Sequence, residues 1–472
     1  MTTTSPLDTA ALRAAGREPP MPCRVALADG RMLEALRVLR VLPGKRIVAE
    51  ARLDGEPVLA KLFVADGAAR HLRREREGIE ALLAAGLDTP GIIAEAPIAG
   101  GGRLLATRWL SDATSLAERW AAAPRPPGDA GAIALLAPAL RLLARMHAAG
   151  LTQTDLHLGN FLLDGERIRI VDGDAVERHG EPLSPRQATD NLAILLAQLP
   201  PAWDAHADAL YAIYREAGGR CEDDGLQAAI DAVRHWRLAD LLDKSLRDCS
   251  LFAVRKRFRR FESVVRQEAD TLAPLLADLD GAMAHGSLLK DGRTVTVVKL
   301  QWGERTLVIK RYNIKGIGHG LSRLWRPSRA WQSWLAAHRL RFLGIDTPRP
   351  LALVEERLGP LRRRAWLVSE WCDGTPLRRM LDADTEPPQP VGAALCAIFD
   401  TLVRERIQHG DLKATNLLWE AGRVWLIDLD ATTAHDDARA FARGWSRDRA
   451  RLLRNWPPDS VLARWLDRHL PR

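Results

Sequence analysis

The chain repeats itself. Residues 155–175 read DLHLGNFLLDGERIRIVDGDA, and residues 411–431 read DLKATNLLWEAGRVWLIDLDA. Both stretches hold an Asp, an Asn five positions on and an Asp twelve beyond that: Asp155, Asn160 and Asp172, then Asp411, Asn416 and Asp428. Each closes in Asp-x-Asp after a β-type apolar run, 168–171 and 424–427. Upstream, each half carries an apolar run ending in lysine, VLAKLF around Lys61 and LVIKRY around Lys310. A helical pattern follows in both, closed by a near-identical turn, Gly-Leu-Asp-Thr-Pro at 86–90 and Gly-Ile-Asp-Thr-Pro at 344–348. Landmarks recurring in one order in two halves identify a tandem duplication.

The pattern places a boundary near residues 265–285. Before it lies a helical tract with apolar periodicity at 191–199, 206–216 and 226–242, then a basic run, Arg255-Lys-Arg-Phe-Arg-Arg-Phe261, read as a solvated helix face. Residues 1–20 contain Pro19-Pro20 and little periodicity and read as a mobile tail. This gives a tail at 1–20, a first domain at 21–270 and a second at 271–472. Within each half strands precede a helix, more strands and a mainly helical remainder, an α+β plan with two lobes.

Asp-x4-Asn followed by a strand-borne Asp is the acidic constellation of kinase-type phosphoryl transfer. The phosphates of ATP carry several negative charges, so Mg2+ must bridge them, and a hard cation takes oxygen ligands. The amides of Asn160 and Asn416 with the carboxylates of Asp172 and Asp428 supply those oxygens. Asp155 and Asp411, in the same loops, are placed to accept the proton of an attacking hydroxyl. Lys61 and Lys310 would neutralise phosphate charge and need an acidic partner from the neighbouring helix. At 100° per residue Leu72, Ile79, Leu82 and Leu83 define that helix's apolar face in the first half; Glu75 falls on it and Glu77 opposite, so Glu75 is the partner. The matching helix, 328–342, contains no glutamate, and Trp331, Trp334 and Leu335 occupy it. Lys310 then finds another carboxylate, or that half binds nucleotide differently, or it does not catalyse. Gly44 and Gly292, in turns between strands, stand where a phosphate-covering hairpin belongs, though neither lies in a full GxGxxG.

His409-Gly-Asp-Leu-Lys-Ala-Thr-Asn416 with Ile427-Asp-Leu-Asp430 resembles the catalytic core of protein-kinase-like enzymes. More narrowly, Ser328-Arg-Ala-Trp331, Ala337-His-Arg-Leu340 and Gly344-Ile-Asp-Thr-Pro-Arg-Pro350 are similar to the bacterial lipopolysaccharide core kinases, which phosphorylate Kdo or heptose sugars. Thr154-Asp-Leu-His-Leu-Gly-Asn160 is similar to the loop of sugar and aminoglycoside kinases. Gln153 and Thr154 depart from the usual His-Gly before the base, and no Ala-Pro-Glu activation segment follows either Asp-x-Asp. The resemblance implies two tandem protein-kinase-like bilobal domains, each with a small β-rich N-lobe and a mainly helical C-lobe. It implies ATP and Mg2+ as cofactors, and a heptose or Kdo hydroxyl of a lipopolysaccharide core oligosaccharide or glycolipid as acceptor, met at the cytoplasmic face of the inner membrane.

Composition sets the outer limits. Hydrophobic residues make up 47% and charged residues 27%, which excludes a largely disordered or collagen-like chain. The longest uncharged apolar stretch, 130–140, is too short to cross a bilayer, and the first ten residues show no secretory signal. Five scattered cysteines without a CxxC pair argue against a disulfide framework or a zinc site and fit a cytoplasmic protein. Residues 271–472 hold 32 Lys and Arg against 23 Asp and Glu, whereas 1–270 hold 36 against 37, so the positive excess belongs to the second half and suits an anionic partner. Lys310, Arg311, Lys315, Arg323, Arg326 and Arg329 interleave with Tyr312, Trp325, Trp331 and Trp334, and Trp445, Trp456 and Trp465 repeat the pattern, which fits an anionic membrane surface; the commoner place for tryptophan is the core. No nucleic-acid module accompanies the basic run, so no nucleic-acid partner is expected. The oligomeric state is not legible. Two other readings stay open: a protein Ser/Thr kinase, favoured by Lys413, and a nucleotide-binding pseudokinase scaffold, favoured by the missing helix glutamate.

Overall fold

A computed structural model describes residues 5–122, 126–165, 167–222, 224–313, 327–359 and 361–472. Backbone contacts divide the chain into two compact units, Met1–Leu199 with Trp203–Arg234, and Pro200–Ala202 with His235–Arg472. The division falls well before the expected boundary at 270. The reason is the basic run: 255–261 forms no helix but a hairpin, Phe252–Arg257 with Arg260–Val265, whose second strand pairs with Pro350–Leu358 and so joins the second unit's sheet. Moving the boundary sharpens the charge asymmetry, since residues 235–472 hold 41 Lys and Arg against 29 Asp and Glu.

The first unit opens with a six-stranded antiparallel sheet in the order Cys23–Ala26, Met32–Leu42, Arg46–Leu53, Glu56–Phe63, Arg103–Arg108 and Ile92–Pro97. The lysine strand Glu56–Phe63 is internal, so Lys61 is held on a paired strand. The expected mobile tail is anchored instead: Thr9–Ala14 is a helix capped by Asp8, Leu12 is 1% exposed, and Leu7 pairs with the backbone of Arg24. After the sheet come the helices Leu116–Ala122 and Ala130–Ala148, short strands carrying the Asp-x4-Asn loop, and Pro185–Leu196, Ala207–Glu216 and Leu226–Lys244, the last passing from the first unit into the second after Arg234. These last three coincide closely with the periodic tract. Ala130–Ala148 continues past the uncharged stretch and is, by length and composition, apolar enough to cross a membrane. It is also the centre of the first unit's core, burying Leu136, Leu140, Leu143 and Met146.

The second unit repeats this element order. Its seven-stranded sheet runs Phe252–Arg257, Arg260–Val265, Pro350–Leu358, Leu361–Glu370, Arg305–Tyr312, Val295–Trp302 and Ser287–Asp291. Arg329–Phe342 occupies the place of Ala68–Ala84, Gln389–Arg404 that of Ala130–Ala148, and Ala438–Leu453 that of Pro185–Leu196. The commoner place of tryptophan is the one found at three positions: Trp334, Trp445 and Trp456 are all buried, while the half-buried Trp331 packs on Phe261 beneath Arg357 and Arg362. Lys315, Arg323, Trp325 and Arg326 lie outside the described residues.

The shared Gly-x-Asp-Thr-Pro turn recurs for a visible reason. In both units its Asp carbonyl accepts the backbone N–H of the strand leading to Asp-x-Asp, Ile170 to Asp88 and Leu426 to Asp346, each at 2.9 Å. The Asn of each loop closes the same bonds: Val171 N–H donates to Asn160 O and Ile427 N–H to Asn416 O. The turn thus ties the end of the helix to the strand that presents the acidic residue.

Candidate active site

In the first unit the structure brings Lys61, Glu75 and Asp172 together. Lys61 Nζ lies 2.5 Å from Glu75 Oε1 and 3.0 Å from Asp172 Oδ1. Glu75 is 1% exposed on the face of Leu72, Ile79 and Leu82, whereas Leu83, counted on that face, is exposed. Close packing delivers it: a Cβ on Gly78 would meet Gly173 O at 2.0 Å, so the helix rests directly on the Asp-Gly-Asp backbone. Gly173 N–H then donates to Glu75 Oε1 at 2.9 Å. Arg46, on the neighbouring strand, reaches both Glu75 and Asp174 at 3.7 Å. Burial pushes the Glu75 pKa above the usual carboxylate value despite Lys61. Burial opposes ionisation of Asp172 as well, but there Lys61 prevails and the pKa falls below its ordinary value.

Asn160 and Asp172 are oriented by neighbours. Asn160 Nδ2 donates to Asp155 O at 2.8 Å and to Gln153 Oε1 at 3.3 Å, leaving its amide oxygen as the free acceptor. Gln153, where histidine is usual, donates to the carbonyls of Val171 and Asp172 at 2.8 and 2.9 Å. In the second unit His409 bonds the equivalent carbonyl, Ile427 O, at 3.1 Å, so the glutamine does the histidine's work. Helices beneath hold each loop: Asn191 Nδ2 donates to Gln153 O, and Gly410 N–H donates to the buried Asp448. Asp172 and Asp428 both take left-handed backbone, φ 76° and 63°, an unfavourable conformation for aspartate that recurs at the same place in both units.

Asp155 is exposed, and its carboxylate makes no hydrogen bond or ion pair among the described residues. Asp411 is held by Lys413 at 2.8 Å and Arg451 at 3.4 Å. In the second unit a cavity of about 750 Å3, in the range that holds a nucleotide, is lined by Lys310, Asp411, Asn416 and Asp428 together. Gly44 lies in its expected hairpin turn at φ 67°, and Gly292 in the corresponding turn, its N–H donating to Val295 O. Neither glycine touches the lysine cluster among the contacts described; Leu289 and Lys290, beside Gly292, line the cavity.

Lys310 resolves the open question of its partner. Its Nζ lies 2.6 Å from Asp428 Oδ1 and 3.4 Å from Asp430 Oδ1. Burial disfavours its charge, but Asp430 and Asp428 outweigh it and raise its pKa above the ordinary lysine value. Asp430 also accepts from Tyr312 Oη at 2.6 Å and Ser333 Oγ at 3.0 Å. Sequence reasoning named none of these three as site residues. Counting back from the shared Gly-x-Asp-Thr-Pro turn would have found Ser333, which stands eleven residues before it as Glu75 does.

The donor set suits a hard cation. Among the described residues no group of three His, Cys, Asp or Glu side chains is placed to hold a metal. One amide oxygen and one carboxylate per unit remain, Asn160 with Asp172 and Asn416 with Asp428, so phosphate oxygens and water would complete the shell of Mg2+.

Residues 65–204 and 290–463 match the lipopolysaccharide kinase (Kdo/WaaP) family. Together these segments span more than half of the chain, and the chain belongs to that family. Its kinases are phosphotransferases that use ATP. The matched segments include both Asp-x4-Asn loops, Glu75 and Lys310; Lys61 lies just outside the first. Similar solved structures include WaaP in complex with acyl carrier protein, 21% identical, covering 43% of this chain and 88% of that one at a TM-score of 0.33. Vaccinia related kinase 3 is 12% identical, covering 48% and 88%, with a TM-score of 0.29. A point mutant of the PknI kinase domain of Mycobacterium tuberculosis is 18% identical, covering 45% and 97%, with a TM-score of 0.30. No curated protein sequence matches the chain significantly.

Proposed function

We propose that the chain is an ATP- and Mg2+-dependent kinase that phosphorylates a heptose or Kdo hydroxyl of the lipopolysaccharide inner core, and that each unit is a bilobal kinase-like domain with its own nucleotide site. The observation that carries this reading is the duplicated cluster itself: in both units a lysine on a paired strand meets the acidic residue after an Asp-x4-Asn loop, at 3.0 Å and 2.6 Å. Lys61 and Lys310 neutralise phosphate charge. Asn160 with Asp172, and Asn416 with Asp428, would hold Mg2+, which when bound offsets the charge of the transferring phosphoryl group. Asp155 or Asp411 takes the proton from the sugar hydroxyl as its oxygen attacks the γ-phosphorus and ADP leaves. With that acceptor the protein would act in the cytoplasm, meeting its substrate at the inner face of the inner membrane.

The test is transfer of label from γ-labelled ATP to purified core oligosaccharide. The reading expects labelled sugar, lost in the Asp155→Ala/Asp411→Ala double variant. Label on a generic protein substrate and none on the oligosaccharide would favour a protein Ser/Thr kinase, to which the Lys413–Asp411 pair also points. Nucleotide binding without transfer to either would favour a scaffold.

A further inference from the structure

We infer that Asp430 takes over, in the second unit, the task Glu75 performs in the first: it is the positioning residue that fixes Lys310 for phosphate binding. This rests on the reading of that cavity as a nucleotide site.

Strand register makes the two units directly comparable. Lys61 faces Val48 and Phe63 faces Arg46; correspondingly Lys310 faces Val297 and Tyr312 faces Val295. Tyr312 is therefore the counterpart of Phe63, Val295 of Arg46 and Ser333 of Glu75. Asp430 answers to Asp174, which in the first unit is turned to Arg46 at 3.7 Å and Arg74 at 3.4 Å. Loss of the helix glutamate coincides with loss of that arginine and gain of two hydroxyls, and the hydroxyls draw Asp430 onto Lys310. Lys61, Arg46 and Arg74 face the three carboxylates of Glu75, Asp172 and Asp174, whereas Lys310 faces the two of Asp428 and Asp430.

The geometry of Asp430 is that of an anchored group. Its Oδ1 receives Tyr312 from the lysine strand, Ser333 from the helix and Lys310 itself, three donors on one oxygen. The link from strand to helix, an ion pair in the first unit, thus runs through Asp430 in the second.

The experiment uses the full chain with Lys61→Ala and Asp172→Asn silencing the first site, and reads Mg·ATP affinity by calorimetry beside the melting temperature. Asp430→Asn is expected to weaken Mg·ATP about tenfold or more, since a buried lysine loses one of its two charged partners. Adding Ser333→Glu to Asp430→Asn returns a carboxylate to the helix and is expected to recover most of that loss, which a merely structural role for Asp430 would not allow. Should Asp430→Asn fail to fold, Tyr312→Phe decides, with weakening of about threefold expected from one lost hydrogen bond to a charged group. Unchanged affinity in Asp430→Asn, or in Tyr312→Phe where that variant decides, overturns the inference, as does a loss that Ser333→Glu leaves untouched. A silenced chain that takes up no Mg·ATP overturns the nucleotide reading of the second unit and this inference with it.

Discussion

Lys61 and Lys310 occupy equivalent strand positions and share one equivalent partner, Asp172 and Asp428, but take their second carboxylate from different elements, Glu75 on the helix and Asp430 after the strand. Glu75→Gln keeps the acceptor for Gly173 N–H but removes the charge, leaving Lys61 with Asp172 alone. Phosphate transfer by the first unit should fall by about tenfold to a hundredfold, a cost of ~1.4–2.8 kcal/mol at the lysine. Steady-state kinetics in an Asp411→Ala background measures it, and an unchanged rate would remove Glu75 from the account. At this scale most of the first site was legible. Glu75 could be chosen over Glu77 because helical periodicity assigns faces, and burial follows the face: Glu75 is buried and Glu77 exposed. Asp430 was not legible as a lysine partner, because its direction depends on two hydroxyls that arrive from other elements.

Between elements, the helix Ala68–Ala84 rests closely on the Asp-Gly-Asp backbone through Gly78 and Gly173. Their counterparts in the second unit, Ala336 and Leu429, carry side chains buried in its core. Gly78→Ala should therefore lift the first helix, lengthening the Lys61–Glu75 contact. The expected result is a loss of about 1–3 kcal/mol of stability from overpacking, with first-unit activity falling further than stability alone requires. Denaturant unfolding beside the kinetics checks both. The main misreading was also of an element. Residues 255–261 show no apolar alternation because Phe252–Arg257 is an edge strand whose later residues face water, and a sequence pattern alone cannot separate such a strand from a solvated helix. That one misreading moved the domain boundary. The mobile-tail expectation failed because scattered single residues dock the segment without any periodicity: Leu12 and Thr9 are buried, Asp8 caps the helix, and Leu7, Thr9 and Arg13 bond the backbone of Arg24, Ala99 and Val64.

Across the whole molecule, each unit buries a neutral histidine whose protonation folding opposes. His147 receives Tyr214 Oη at Nδ1 and donates from Nε2 to Asn191 Oδ1, an arrangement that needs the neutral ring, and burial lowers its pKa to about 4. His338, packed between Trp334 and Phe252, is lowered to about 3. The folded pKa lies below the unfolded 6.5, so the unfolded chain binds the proton first and stability falls as pH drops through 6.5 toward 4, on the order of 3 kcal/mol for His147. Because Asn191 also supports the Gln153 carbonyl, acid should loosen the first unit's catalytic loop early. Melting curves from pH 7 to pH 4.5 should show a decline, reduced in His147→Gln; a flat profile would contradict the assignment. At this scale the recurrence of the landmarks was legible in the sequence and the acceptor was not, since the landmarks that repeat are those proposed to meet the nucleotide. The most direct measurement is therefore mass spectrometry of core oligosaccharide from cells carrying Asp155→Ala, Asp411→Ala, both, or a deletion. The account predicts one phosphate fewer in at least one single variant, and no more loss in the deletion than in the double variant. An unchanged phosphate count in the double variant and the deletion would contradict it.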